Sequence, residues 1–282
     1  MSNIRQGGGD SPRSTSIHIC ESTTLAAQTA ARVAAEAIRS CLKTQNRARI
    51  MVGTGNSQME MIGFLTKEPE IDWSKVEAFH LDEYVGIARD HPASFRFWIR
   101  TRFTDKVHPL VTHYIEGDAV NLDAMIEDYG RLLTAAPIDV AFVGIGENGH
   151  IAFNDPHVAD FNDPLVVKRV TLDEACRLQQ VGEGHFPKIG SVPKEAITVS
   201  CRGLFRANKW ICCVLEQRKA RAIKDSLEGP LSTSCPGTLV QEHPDASVFL
   251  DPESASLLAL DFVKTRYRVQ EVSSAGASLR PC

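Results

Sequence analysis

The 282-residue chain is 43% hydrophobic with a formal net charge of −4 at pH 7, which suits a globular protein with a sizeable core. Acidic and basic residues are mixed along its length, which leaves no basic footprint for nucleic acid and no basic tail for an acidic membrane surface. The longest apolar runs are too short to cross a bilayer, and the eight cysteines show neither a Cys-x-x-Cys pair nor a zinc spacing.

Residues 1–15, with Gly7-Gly8-Gly9 and Pro12, read as a disordered polar tail without a secretory signal. Scattered thiols behind such a start point to a reducing cytoplasm. A short strand from Ser16 to Cys20 leads through Ser22, a good helix cap, into an Ala-rich helix ending near Leu42. Arg49-Ile50-Met51-Val52 reads as a buried strand that breaks at Gly53-Thr54-Gly55-Asn56-Ser57, after which Met59, Met61, Ile62 and Leu65 follow a helical rhythm. Val76 to Leu81 is a strand, Ser94 to Phe103 and Asn121 to Leu133 are helices, and Ile138 to Gly144 is the clearest buried strand. After an irregular middle come strands at Ala196 to Val199 and Trp210 to Val214, a helix from Gln217 to Leu227, a strand at Val248 to Leu250 and a final short helix. Apolar strands alternating with amphipathic helices predict an α/β fold, a mostly parallel, doubly wound Rossmann-like sheet with helices on both faces. No linker or repeat divides residues 16–260, so they form one domain, and residues 261–282 read as a C-terminal tail. Ligands of such sheets bind beyond the carboxyl ends of the strands, which singles out the loops after Val52, Leu81, Val143 and Val214.

Three segments in those loops carry chemistry. Gly53, Thr54, Gly55, Asn56 and Ser57 join a strand to a helix, where glycines let backbone N–H groups approach an anion and hydroxyls add donors; the same residues also suit a plain tight turn. Asp82 and Glu83 are adjacent carboxylates that cannot face the same way, so one projects into a site while the other is held structurally or pairs with a base, or both form a solvated acidic loop. Gly144 to Pro156 gathers three glycines, Asn148, His150 and Asp155, with an imidazole that both accepts and donates a proton near neutral pH.

The run Gly144-Ile145-Gly146-Glu147-Asn148-Gly149-His150-Ile151-Ala152-Phe153-Asn154-Asp155-Pro156 resembles the signature of the glucosamine-6-phosphate deaminase/isomerase family, and Leu81-Asp82-Glu83-Tyr84-Val85-Gly86 is similar to its second hallmark. His91-Pro92, Ser94-Phe95, Val192-Pro193-Lys194 and Lys219 fit the same spacing, so the resemblance spans about residues 16–255. It implies a deaminase of the hydrolase/isomerase type that opens an amino-sugar phosphate ring, moves a proton from C2 to C1 and releases ammonia, with no metal or other cofactor. Asp82 is then the base at C2, His150 the ring-opening group, and Asn148 and Asp155 its orienting partners. The loop of Gly53, Thr54, Gly55, Asn56 and Ser57 takes the phosphate, with Lys219 as a cationic partner, and the small-molecule sugar phosphate is met by a homo-oligomer. The related 6-phosphogluconolactonases share the fold, so a lactonase on a phosphorylated sugar acid is one alternative, and a catalytically silent sugar-phosphate sensor is another.

The chain departs from that pattern in three places. Asp155 stands where the family commonly has glutamate, so His150 sits closer to it or a water bridges them. Asn148 is an amide where some members have aspartate. In the phosphate loop Asn56, Ser57 and Gln58 replace the family's second glycine, threonine and proline, and the phosphate-binding arginine expected near Gln179 or Gln180 has its nearest counterpart in Arg177. The stretch from Gln179 to Phe186 reads either as a lid with its own substrate contacts or as an ordinary glycine-containing loop.

Overall fold

The computed structural model describes residues 13–276. In chain order the elements are β1 (Ser16–Cys20), α1 (Thr23–Gln45), β2 (Ala48–Val52), α2 (Asn56–Leu65), β3 (Val76–His80), β4 (Asp82–Tyr84) and α3 (Phe95–Ile99). They continue through α4 (Asp105–Val107), β5 (Val111–His113), α5 (Leu122–Thr134), β6 (Val140–Val143), β7 (Val167–Thr171), α6 (Glu174–Gly182), β8 (Glu195–Val199) and α7 (Cys201–Phe205). Last come β9 (Lys209–Val214), α8 (Ala220–Glu228), β10 (Ala246–Leu250), α9 (Leu260–Arg266) and β11 (Arg268–Val272).

Eight strands in the order β11-β1-β10-β9-β6-β2-β3-β5 make one wholly parallel sheet. Its central strands are buried on both faces, as continuous apolar runs such as Ile50-Met51-Val52 require. Successive side chains alternate between the faces. Ile50 and Val52 join a core with the alanines of α1 and with Met61 and Ile62 of α2, whereas Met51 packs on the opposite side with Leu133 of α5 and Ile223 of α8. Ala26, Ala30, Ala34 and Ile38 of α1 are fully buried, and the small alanines let this helix lie close against the sheet. Its start is capped by Ser22, which accepts from the Leu25 N–H, and its end by Asn46 in the left-handed region at φ 56°.

Two features differ from the sequence reading. The strand at Ala196 to Val199 does not enter the main sheet but forms a three-stranded antiparallel sheet in the order β4-β8-β7. That small sheet covers its own core around Tyr84, Phe95 and Phe153 and holds the chain just after β3. The residues assigned to a C-terminal tail include most of α9 and all of β11, which pairs along β1 as an edge strand. Its polar sequence, with positions 268, 270 and 271 exposed, carries no buried-strand signal because an edge has one covered side. The assignment of residues 1–15 to a disordered tail falls largely on residues 1–12, outside the described range, as residues 277–282 also are. Thr15, at its end, is buried and donates to the Val240 carbonyl at 2.7 Å.

Candidate active site

The loops after β2, β3, β6 and β9 converge on one cleft at the carboxyl ends of the parallel strands. From β2 come Gly53 to Gln58, from β3 Leu81 and Asp82, from β6 Gly144 to Gly146 with His150, and from β9 Arg218 and Lys219. The far wall is α6 and the turn after it, with Gln179, Gln180, Glu183 and His185, so the stretch read as a lid or a loop does line the cleft.

The paired carboxylates divide as their backbone directions demand. Glu83 points inward, where its oxygens accept from the N–H groups of Tyr84, Phe95 and Arg96 and from the Ser94 hydroxyl, at 2.7–3.1 Å. Burial raises its pKa and those four donors pull it back down, which makes Glu83 the anchor that ties α3 to β4. Asp82 faces the cleft, 7% exposed. Burial, with the neighbouring Glu83 charge, pushes its carboxyl up to about 8. A carboxylate so poorly solvated is a much stronger proton acceptor than an exposed one.

His150 sits across the same cleft, packed so closely over Gly146 that a Cβ there would fall 2.1–2.4 Å from its ring atoms. Asn148 Oδ1 accepts the His150 backbone N–H at 3.0 Å and lies 2.7 Å from Nδ1. Asn148 Nδ2 donates to Asp155 Oδ1 at 2.8 Å, and that oxygen is itself 3.2 Å from Nδ1. The shorter aspartate thus reaches the imidazole directly. Burial would raise Asp155, but hydrogen bonds and charge from His150, aided by Asn148 and Cys176, outweigh it and hold the carboxyl at about 2. Asn148 and Asp155 lie behind His150 and position it; neither lines the cleft.

At the loop between β2 and α2, Gly55 adopts φ 101°, a left-handed value that only glycine takes without strain, and starts α2 with its N–H groups unclaimed by any capping side chain. Ser57 Oγ accepts the Leu215 N–H at 3.4 Å, joining this loop to the end of β9, and buried Gln58 donates to the Cys213 carbonyl at 3.1 Å. Lys219 is 6% exposed, and burial lowers its pKa while Glu183 counters that.

Arg177 is not brought to the cleft. Its guanidinium donates to the carbonyls of Ile189 at 2.7 Å and Val192 at 3.2 Å. Gln179 and Glu183, one turn apart, share the helix face that looks into the cleft, and a residue two positions earlier looks away. The arginine at the cleft is Arg218, which sequence reasoning missed although it adjoins Lys219 in the loop after β9. Gln58, named only as a replacement in the phosphate loop, and Glu183 and His185, from the stretch read as a lid or a loop, line the cleft as well. Among the described residues no three His, Cys, Asp or Glu side chains converge as a metal-holding group, and no helix is long and apolar enough to cross a membrane.

The profile of the family described as glucosamine-6-phosphate isomerases/6-phosphogluconolactonase matches residues 21–249. The glucosamine-6-phosphate deaminase of Exiguobacterium sibiricum is 35% identical over 216 residues, covering 77% of this chain and 83% of that protein. The deaminase of Listeria welshimeri is 32% identical over 225 residues, covering 80% and 94%. A solved structure described as a monomeric glucosamine-6-phosphate deaminase superposes with a TM-score of 0.79 at 29% identity, over 86% of this chain and all of its own. The 6-phosphogluconolactonase of Thermotoga maritima, with a TM-score of 0.69 at 16% identity over 84% and 99%, shares the fold. Cleft, loops and relatives together place the chain in the glucosamine-6-phosphate isomerase/6-phosphogluconolactonase family.

Proposed function

We propose that the protein converts glucosamine 6-phosphate, or an epimer of it, to the ketose phosphate with release of ammonia. The observation that carries this reading is that Asp82 and His150, from loops after different strands, line one cleft. His150 Nε2 takes the proton of the C1 hydroxyl and returns it to the ring oxygen, which opens the pyranose. Asp82 then removes the proton from C2, the electron pair moves toward the C1 carbonyl, whose oxygen takes a proton from the substrate's ammonium group, and an enolamine forms. Delivery of that proton to C1 leaves an iminium at C2. Water adds there and ammonia departs, so the reaction ends in a hydrolytic step. Asp155 balances the imidazolium charge while His150 holds a proton. The loop of Gly53, Thr54, Gly55, Asn56 and Ser57, with Lys219 and Arg218, takes the distal phosphate.

The test is ammonia release from a panel of hexosamine 6-phosphates and their unphosphorylated forms, run beside acid release from 6-phosphogluconolactone. Ammonia from a phosphorylated hexosamine supports the reading; acid from the lactone without ammonia supports the lactonase instead. Tight binding of hexosamine phosphates without either product supports a sensor. Seven described cysteines carry free thiols, which fits a reducing compartment such as the cytoplasm. Self-association, expected from the family resemblance, is read by light scattering, and the solved neighbour described as monomeric makes a single-chain enzyme the competing outcome.

A further inference from the structure

One acidic side chain in the cleft has no part in the proton transfers. Glu183 caps the end of α6, and its side chain is 8% exposed. Its Oε1 accepts from Gln179 Nε2 at 2.9 Å and from Arg218 at 3.3 Å, and Lys219 Nζ stands 3.8 Å away. Arg218 is shared with Glu147 at 3.2 Å and Glu216 at 2.6 Å, whereas Glu183 is the ion-pair partner recorded for Lys219 among the described residues. Two cations therefore face three carboxylates beside the loop of Asn56 and Ser57, which borders Leu215 and Glu216. A lysine this buried needs a counter-anion, because an unpaired ammonium away from water is costly. A second anion brought against the same ammonium meets like-charge repulsion from the first.

We propose that Glu183 is a specificity-determining residue. Its carboxylate holds the position of the substrate's anion against Lys219 and Arg218, and a phosphate binds by displacing it. The Gln179 bond gives the carboxylate somewhere to remain when it leaves the two cations. The consequence is a site that separates phosphorylated from free hexosamines less steeply than a cationic pocket without an internal carboxylate. The inference rests on the amino-sugar-phosphate reading for the identity of the anion, and the ion-pair geometry is independent of it.

Calorimetric titration of inorganic phosphate into the full chain reads the anion site without turnover. In Glu183→Gln, which keeps the shape and removes the charge, the phosphate Kd is expected to fall about tenfold, the scale of one like-charge contact removed at partly screened distance. Glu183→Ala moves Kd in the same direction, and Glu183→Asp leaves it near that of the unsubstituted protein. An unchanged or weaker Kd in both Glu183→Gln and Glu183→Ala overturns the proposal and leaves Glu183 as a clamp between α6 and Arg218. In steady state, the ratio of KM for glucosamine to KM for glucosamine 6-phosphate rises about tenfold in Glu183→Gln on the same argument; a constant ratio counts against it. Absence of turnover with every sugar sinks the reaction assignment, and the calorimetry still decides the role of Glu183.

Discussion

Asn148 and His150 are locked together by two contacts to a single amide oxygen, which accepts the His150 backbone N–H at 3.0 Å and faces its Nδ1 at 2.7 Å. The other end of the amide is committed to Asp155 at 2.8 Å, so the amide cannot flip without losing both partners. An oxygen facing Nδ1 requires the proton on Nδ1, which leaves Nε2 as the acceptor turned to the cleft.

Replacement of Asn148 with alanine removes that tautomer control. The expected result is a fall in kcat of about 10- to 100-fold, a fraction of what general acid–base catalysis supplies. Ammonia release at saturating glucosamine 6-phosphate, with circular dichroism to confirm folding, checks it, and an unchanged kcat removes Asn148 from the account.

Gly146 is the floor on which the imidazole rests. A methyl group there overlaps the ring by more than any rotamer adjustment of a packed histidine absorbs. Gly146→Ala is expected to lower kcat at least about tenfold while costing about 1–3 kcal/mol of stability. Kinetics beside denaturant titration separates the two effects; full activity shows that His150 works from another position.

The pH dependence follows from Asp82. A base acts only when ionised, and this carboxyl is pushed up to about 8 by burial and by Glu83. After correction for titration of the substrate's own groups, kcat/KM is expected to rise with pH toward 8 and to level above it. A profile already flat from pH 5 would show a solvated, ordinary aspartate at this position.

The same shift has a stability consequence of defined sign. Unfolded, an aspartate loses its proton near about 4. Folded, Asp82 keeps it until about 8. The folded state therefore holds the extra proton between these values, and stability conferred at low pH is lost as pH rises through that window. Asp82→Asn cannot ionise, so it is expected to flatten the decline and to raise stability at pH 8 by at least about 1 kcal/mol while abolishing turnover. Thermal melts of both proteins between pH 5 and pH 8 provide the comparison, and parallel curves contradict it.

Much of this site is legible in the sequence because strand ends and glycines mark it. Ile138 to Gly144 announces a buried strand, and the loop beyond it must then lie at the carboxyl edge of a parallel sheet, which is enough to bring His150 toward Asp82. The division of labour between Asp82 and Glu83 follows from adjacency, but which carboxylate turns inward does not. That depends on the Ser94 hydroxyl and the N–H groups of Phe95 and Arg96, eleven to thirteen positions further along. Arg177 is misplaced by the reading because a shift of two positions on a helix reverses the face, and sequence distance alone does not report it. The edge strand β11 is hidden by its polarity, and the role of β8 is hidden because an apolar run reads alike in a main sheet and in a small one.

The central claim is that the carboxylate of Asp82 takes the hydrogen from C2 of an amino sugar opened by His150. Nuclear magnetic resonance of glucosamine 6-phosphate incubated with the protein in deuterium oxide follows that hydrogen directly. The expected spectrum shows loss of the C2 proton signal, that hydrogen or the deuterium exchanged for it on the Asp82 carboxyl at C1 of the ketose product, and neither change with Asp82→Asn. Exchange at C2 and ammonia release by Asp82→Asn at the unsubstituted rate would contradict it.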